Sequence, residues 1–475
     1  MCATSTGSGG AGLIEVPVKD PARQRMFVRY TAVLCGLALL GALGALLKLH
    51  VMLVNAEMLP PGVGYGITLG IGGVSEAPGQ CPGSCAAYVL DEAWVGGSGR
   101  FFSTDSWQYM HDEVDPTGGP TQYVDFDTAR RAGMIEEGDG WAVLRAGKPV
   151  DCLASDDCSM SNVPGAWQYT EGPHLRQSVR ITSRKSWRHF LLSVRYTHLP
   201  HGCGLWPALW FWCADVDPPE GGGEPRCPPW PAGGEFDLLE YSNYFSSKTS
   251  LHLGEDARCL LDRDAVYACG NFIDKNTMEF DCETNYFPAD ITRAKYGCAP
   301  NQYETWPTVL DLNAQAGDGR DATLVLEFAE EAIKVWHFNA GEAPADLLDD
   351  APAPAHWDTA KLWSYYPLAQ SDCPGKDSIG AQNLVINLAF CGEWAGANWE
   401  QPADSWRHGG PTWQDFARMM LLGESCARTH GNGGQSSPEE ACIAHVLDAD
   451  ASAGLEETAF FNFSHIKVFV PADGG

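Results

Sequence analysis

From about Phe101 onward the chain is a succession of short apolar runs punctuated by Gly, Pro, Asn and Asp. "SVRITSRKSW" (178–187) alternates apolar with polar positions, and "HFLLSVRYTHL" (189–199) continues the alternation. A period of two sends successive side chains to opposite faces, so both stretches predict strands with one buried face. "ATLVLEFAEEAIKVWHF" (322–338) predicts two strands joined at Glu330–Glu331, and "NLVINLAF" (383–390) and "FNFSHIKVFV" (461–470) predict two more. Many short strands separated by turn residues point to an all-β sandwich or jelly roll. Helical periodicity is confined to "WQDFARMMLLG" (413–423) and "PEEACIAHVLDAD" (438–450), and no internal repeat is present.

One segment breaks the pattern. "TAVLCGLALLGALGALL" (31–47) carries no charge, and its apolar character resumes through Val54 after Lys48 and His50. That length suits a hydrocarbon core of roughly 30 Å. Lys19, Arg23, Arg25 and Arg29 precede it, which by the positive-inside tendency places the N-terminus in the cytoplasm. The expected organisation is a disordered cytoplasmic tail (1–30), a transmembrane signal anchor (31–54), a linker or N-terminal extension (55–100) and one large β domain (101–471). A single-pass type II membrane protein with its domain in the lumen or outside the cell follows. The competing reading is secretion after signal-peptide cleavage behind "VNA", just before Glu57.

Composition narrows the chemistry. A formal charge of −30 and a pI of about 4.6 argue against nucleic acid as a partner and suit work on a neutral ligand. Seventeen Trp supply aromatic platforms. Of the 17 Cys, all but Cys2 and Cys35 lie beyond the apolar segment, which in an exported chain reads as structural disulfides of open connectivity with one thiol left over. Zinc-site spacing is lacking, and "CPGSC" (81–85) stands alone. Asn462 in "NFS" is a glycosylation sequon. The Gly-rich stretch 62–73 fits neither a dinucleotide fingerprint nor a P-loop, and no serine- or cysteine-hydrolase motif occurs.

The stretch "GGEFDLLEY" (233–241) concentrates Glu235, Asp237 and Glu240 in what otherwise reads as a core strand. Glu235 and Asp237 share a face, whereas Glu240, five positions from Glu235, falls on the other. A one-residue bulge at Leu238–Leu239 would bring all three acids to one side. A solvated acidic face is the bland alternative, but like charges on one strand face repel and bring no stability. Upstream, "GLWPALWFW" (204–212) alternates Trp206, Ala208, Trp210 and Trp212 onto one face, and Trp230 follows. Aromatics beside a carboxylate cluster suit stacking on sugar rings. Glycoside hydrolysis needs one ionised and one protonated carboxyl, held about 5–5.5 Å apart in retaining enzymes. An anionic Asp237 between the glutamates would help to keep a neighbour neutral.

"GEFDLLE" resembles the E-x-D-x-x-E signature of glycoside hydrolase family 16 in its bulged, laminarinase-type form. The resemblance extends through "DPTGGPTQYVDFDTARRAGMI" (115–135), "RQSVRITSRKSW" (176–187), "HLPHGCGLWPALWF" (198–211) and "WPAGGEFDLLE" (230–240). It continues through "LHLGEDARC" (251–259), "AIKVWHFNAGEAP" (332–344), "NLAFCGEWAG" (387–396) and "FFNFSHIKVF" (460–469), blocks similar to those of eukaryotic endo-1,3(4)-β-glucanases. It implies a concanavalin A-like β-jelly-roll with a curved substrate cleft, cleaving internal β-1,3 or mixed β-1,3/1,4 glucan bonds with retention. By the resemblance Glu235 is the nucleophile, Glu240 the general acid/base and Asp237 the assisting acid. Trp206, Trp210, Trp230, Asn243, His252 and Trp394 are the implied substrate-binding residues. No cofactor is implied and no metal-ligating residue is assigned, a structural calcium as in some relatives being left open; the partner is a β-glucan, and oligomeric state is left open. Departures from the family pattern are Tyr241 in place of Gly, "LHL" in place of "LHT", Lys248 in place of Gln, and an inserted segment from Asp215 to Pro228, which a Cys213–Cys227 bridge would pin. A transglycosylase, or a non-catalytic β-glucan-binding protein on the same fold, are the alternative functions.

Overall fold

The computed structural model describes residues 81–472 except 82–83, 85–86, 112, 114, 152–173, 215, 217–226, 245–246, 256, 270–279, 286–294, 301–307, 318–319, 402–424 and 436. The apolar segment 31–54, the Gly-rich stretch 62–73 and the helix expected over 413–423 lie outside the described residues. Among the described residues no helix is long and apolar enough to cross a membrane.

Nineteen strands lie among the described residues, in chain order β1 (Tyr88–Val95), β2 (Trp107–Tyr109), β3 (Thr121–Tyr123), β4 (Ile135–Gly138), β5 (Trp141–Arg145), β6 (Pro149–Asp151) and β7 (His174–Ser178). The series continues with β8 (Arg180–Trp187), β9 (Phe190–His198), β10 (Leu205–Trp212), β11 (Glu235–Glu240), β12 (Lys248–His252), β13 (Thr284–Asn285) and β14 (Lys295–Tyr296). It closes with β15 (Ala322–Phe328), β16 (Ile333–Phe338), β17 (Leu362–Tyr366), β18 (Gln382–Phe390) and β19 (Phe460–Pro471). Two antiparallel sheets dominate. One runs β12-β11-β10-β18-β8-β2; the other runs β17-β16-β15-β9-β19-β5-β4, with β1 beside β19.

Alternation along the strands decides which side chains meet between the sheets. Phe211 and Phe236 point inward from the six-stranded sheet, and Phe190, Phe328 and Tyr366 from the other. Their rings touch across the interface, with centroids 4.9 Å apart for Phe190–Phe211, 5.3 Å for Phe236–Tyr366 and 6.0 Å for Phe236–Phe328. Edge-to-face and offset contacts of this kind add to the area they bury. The opposite residues of β10 and β11 are thereby forced onto the outer face of the six-stranded sheet. A smaller apolar cluster packs Cys442 and Val446 of the helix Pro438–Leu447, which Ser437 caps and Pro438 opens, on Leu205, Phe390 and Trp399.

Six disulfides close among the described residues: Cys81–Cys269, Cys203–Cys426, Cys213–Cys227, Cys259–Cys373, Cys282–Cys298 and Cys391–Cys442. Cys85, Cys152 and Cys158 lie outside the described residues.

Two expectations change. The folded domain starts earlier than residue 101, because β1 pairs with β19 from Tyr88–Pro471 to Val95–His465. A register shift at Leu90–Glu92 breaks the alternation of β1 and leaves Val89 and Leu90 exposed, so its strand signal is weak. Asn462 sits inside β19, flanked by β5 and β9, with its side-chain oxygen buried. A glycan acceptor needs an accessible amide, so this sequon is poorly placed.

The N-terminal arm also covers two buried charged side chains that both bond Ser84. Glu327 and Lys334 face each other across the β15–β16 ladder and are 0 % and 1 % exposed. The Tyr88 hydroxyl donates to Glu327 Oε1 at 2.9 Å and Ser84 Oγ to Oε2 at 2.7 Å, while Lys334 Nζ donates to Ser84 Oγ and to the Cys81 carbonyl. Tyr88→Phe removes one donor from a buried carboxylate and is expected to cost about 1–3 kcal/mol. Urea unfolding measures it; an unchanged midpoint would show that the arm does not support this pair.

Candidate active site

The site is made by one extra residue. Leu209 pairs with Leu239 and Trp210 with Asp237, leaving Leu238 without a partner on β10. On the other side Asp237 pairs with Ser250 and Glu240 with Lys248, three steps on β11 against two on β12. Leu238 and Leu239 are therefore both buried, and Glu240 returns to the outer face shared by Glu235 and Asp237. This is the bulge the hydrophobic pattern required.

β10 sets tryptophans beside those acids. Trp206, Trp210 and Trp212 are partly exposed on the outer face, while Leu205, Leu209 and Phe211 are buried beneath. The Trp206 indole N–H donates to Glu240 Oε1 at 2.9 Å, and the Trp230 indole N–H donates to Glu235 Oε2 at 2.6 Å. Trp394, on the loop after β18, meets Trp206 edge to face at 5.5 Å. Trp210 donates to Asn387 Oδ1 at 2.8 Å, and the Arg180 guanidinium lies over its ring at 5.0 Å. Each glutamate is thus held by a different tryptophan, with Asp237 between them.

Asp237 is buried. Its Oδ2 accepts from Ser250 Oγ at 2.7 Å and lies 3.0 Å from His252 Nε2. His252, 5 % exposed, belongs to the acid cluster through Asp237 and is not placed as a sugar-stacking surface. Asn243 is a correction. It is 2 % exposed at φ 56°, and its amide accepts from Gly204 N at 2.7 Å and donates to the Ala395 carbonyl at 3.1 Å. Both ends of the amide are spent on backbone, so Asn243 fixes the turn after β11 and the Trp394 loop and does not face a substrate. Tyr241 is likewise structural: it is buried, and its hydroxyl donates to the Pro200 carbonyl at 2.6 Å.

Sequence reasoning did not single out Ser250, Arg180, Asn387 or Thr284. Alternation from His252 would have found Ser250, two residues away on the same face. Thr284 gives no local signal, because a distant segment delivers it.

Burial raises the Glu235 carboxyl well above the usual range and the Asp237 charge adds to this; the Trp230 N–H and the Arg180 charge pull the other way. Burial first, then Asp237, pushes Glu240 up to about 8, against the Trp206 hydrogen bond. Three such acids cannot all ionise cheaply in one groove, and the cluster keeps a proton near neutrality. The Arg180 guanidinium offsets part of the rise at Glu235, and His252 part of the rise at Glu240. Among the described residues the one grouping with cation-binding spacing is Glu235, Asp237 and His252, whose atoms lie within 4.8 Å of one another. Trp230, Ser250 and Thr284 already engage these side chains, so the arrangement reads as a hydrogen-bonded acid cluster.

A β-sandwich with a carboxylate trio between tryptophans on the outer face of one sheet is the arrangement of a jelly-roll domain. Residues 107–419 match the family model described as an XgeA-like, catalytic GH16 domain, more than half of the chain, and the chain belongs to glycoside hydrolase family 16. It is similar to a probable glycosidase of Schizosaccharomyces pombe, 27% identical over 62% of this chain and 58% of that protein. It is similar also to the endo-1,3(4)-beta-glucanase xgeA of Emericella nidulans, 26% identical over 65% of this chain and 40% of that protein. The chain spans about half the length of the curated relatives it matches. Among solved structures, laminarinase 16A of Phanerochaete chrysosporium with two β-glucans in donor and acceptor sites aligns with TM-score 0.51 and 24% identity. An elongating family 16 β-1,3-glucosyltransferase aligns with TM-score 0.53 and 19% identity. Each alignment covers 81% of this chain and all of the other, and these likenesses establish the fold.

The raised Glu240 has a consequence for stability. The folded protein keeps this proton up to about pH 8, whereas an unfolded chain releases it in the ordinary carboxylate range. The native state binds more protons between those limits, so stability falls as pH rises through them. Glu240→Gln keeps an acceptor for Trp206 and removes the buried charge. It is expected to stabilise the protein by on the order of 2–4 kcal/mol at pH 8 and by little at pH 4. Urea unfolding at both pH values measures the gap, and a gap independent of pH would contradict the assignment.

Proposed function

We propose that the protein is a retaining endo-β-glucanase acting on internal β-1,3 or mixed β-1,3/1,4 bonds. The observation that carries the reading is the placement of Glu235 and Glu240 on one face of a bulged strand, each hydrogen-bonded by a tryptophan of the groove. Family membership and the names of the fungal relatives support the same substrate class.

In this mechanism Glu240 donates its proton to the glycosidic oxygen as the bond to the departing sugar breaks. Glu235 attacks the anomeric carbon and forms a glycosyl ester. Glu240, now anionic, takes a proton from water, whose oxygen displaces Glu235 with a second inversion. Asp237 holds negative charge between the two and favours the protonated form of its neighbour. Tryptophans 206, 210, 230 and 394 provide faces and edges for the sugar chain. The six disulfides support an oxidising compartment, and with them the reading of 31–54 as an anchor that leaves the domain luminal or extracellular.

Incubation with laminarin, lichenan, cellulose and xyloglucan, followed by product sizing and anomeric NMR, tests this reading. Internal cleavage of the first two with β-configured products is expected; elongated products would indicate transfer to a sugar hydroxyl. Glu235→Gln and Glu240→Gln are each expected to lower turnover by about a thousandfold or more. Undiminished reducing-sugar release by Glu235→Gln would end the catalytic claim, and binding without release by the native protein would favour a glucan-binding role. Turnover should also fall as pH rises through about 8, where Glu240 loses its proton, and fall on the acid side above the usual carboxylate range as Glu235 gains one.

A further inference from the structure

β12 is the edge strand of the six-stranded sheet, and two short arms, Asp281–Asn285 and Lys295–Cys298, cover its outer edge. Leu251 exchanges backbone hydrogen bonds with Cys298 at 2.9 and 3.0 Å; Leu253 N donates to the Cys282 carbonyl and Thr284 N to the Leu253 carbonyl, both at 2.8 Å. Cys282–Cys298 ties the arms together.

The arms bracket His252. Thr284, itself buried, puts Oγ1 3.1 Å from Nδ1. Gly297, at φ +78°, lies so close that a Cβ there would sit 2.6 Å from Nδ1 and 2.9 Å from Cε1. At the far end of the ring, Nε2 lies 3.0 Å from Asp237 Oδ2 and 3.1 Å from Ser250 Oγ. Hydrogen accounting places a proton on Nε2. Ser250 has one hydroxyl hydrogen, and it goes to Asp237 at 2.7 Å. Nε2 faces that carboxylate and the lone pairs of the same hydroxyl, so Nε2 carries the hydrogen. At the other end of the ring Nδ1 meets the Thr284 hydroxyl, which has both a hydrogen and lone pairs to offer it.

We infer that Thr284 and Gly297 are positioning residues for the acid trio: they clamp the His252 ring with Nε2–H on Asp237 and so fix that carboxylate between Glu235 and Glu240. The inference rests on the reading of those two glutamates as the reacting pair. The charged groups around His252 are Asp237, with Glu235 and Glu240 on the same strand, and on the arms Lys295, which pairs with Asp281 and Glu283. The arm charges are thus engaged with one another, and Asp237 is the carboxylate to which the imidazole is committed. A valine at 284 keeps the size and the β-branch of threonine and deletes only the hydroxyl.

The test uses the disulfide-intact protein labelled with 15N, together with Thr284→Val and Thr284→Ser. Imidazole 15N shifts should show His252 protonated at Nε2 in the native protein and in Thr284→Ser, with that protonation reduced in Thr284→Val. Turnover on laminarin should fall about tenfold in Thr284→Val with KM within twofold, the pH profile should move by half a unit or more, and Thr284→Ser should restore both. An Nε2-unprotonated neutral ring in the native protein overturns the inference, as does a Thr284→Val variant with native turnover and pH profile. If the native protein releases no sugar from any glucan, the reading of the glutamates has failed, and the tautomer measurement on the native protein alone decides the clamp.

Discussion

Leu238 is the residue on which the site turns. A regular strand with the sequence EFDLLE would aim Glu240 between the sheets, at the layer where Phe236 packs on Tyr366 and Phe328. An ionised carboxyl there would lack water and a partner, at a cost of several kcal/mol. One extra residue removes that conflict. Both leucines are buried, and the three acids line one face. The bulge therefore serves the core and the groove at once, which is how a strand can carry a dense cluster of acids without losing its place in the sandwich.

Gathering those acids still works against stability. Like charges on adjacent outward positions repel, and burial makes each charge harder to hold. The surrounding donors offset part of this: two indole N–H groups, the Ser250 hydroxyl and the Arg180 guanidinium. The frame supplies the rest. Aromatic packing fixes the two sheets, and disulfides limit how far the segments near the groove can relax. A site whose groups are strained electrostatically stays assembled because its backbone is over-determined elsewhere.

The three acids and the strands that carry them were legible because a period of two is a strong signal and the conflict at Glu240 had one economical solution. β8, β9, β10, β15, β16, β18 and β19 fall where alternation places them. β1 was not legible, since its register shift leaves only Tyr88 and Trp94 buried among exposed neighbours. Asn243 looked like a groove residue from its position after the acids, yet a left-handed turn needed a short polar side chain to satisfy local backbone, a demand that sequence position alone does not reveal. His252 was placed correctly near the acids, but its role through Asp237 depends on Ser250 and on a threonine 32 residues further along, and no local pattern encodes that meeting.

The disulfides show how the same sheet can be specialised without disturbing its chemistry. Cys213–Cys227 closes the insertion between β10 and Trp230, at the Glu235 end of the groove. Cys203–Cys426 and Cys391–Cys442 tie down the helices behind the Trp394 loop, which reaches Trp206 and through it Glu240. Cys282–Cys298 closes the arms on β12. An uncovered β12 would present a row of backbone donors and acceptors and invite edge-to-edge association. The arms satisfy that edge, and in doing so deliver Thr284 and Gly297 to the imidazole that touches Asp237. Protection of a sheet edge and orientation of the acids are then one structural event, so a change in the arms reaches the acids through the hydrogen bonds of His252.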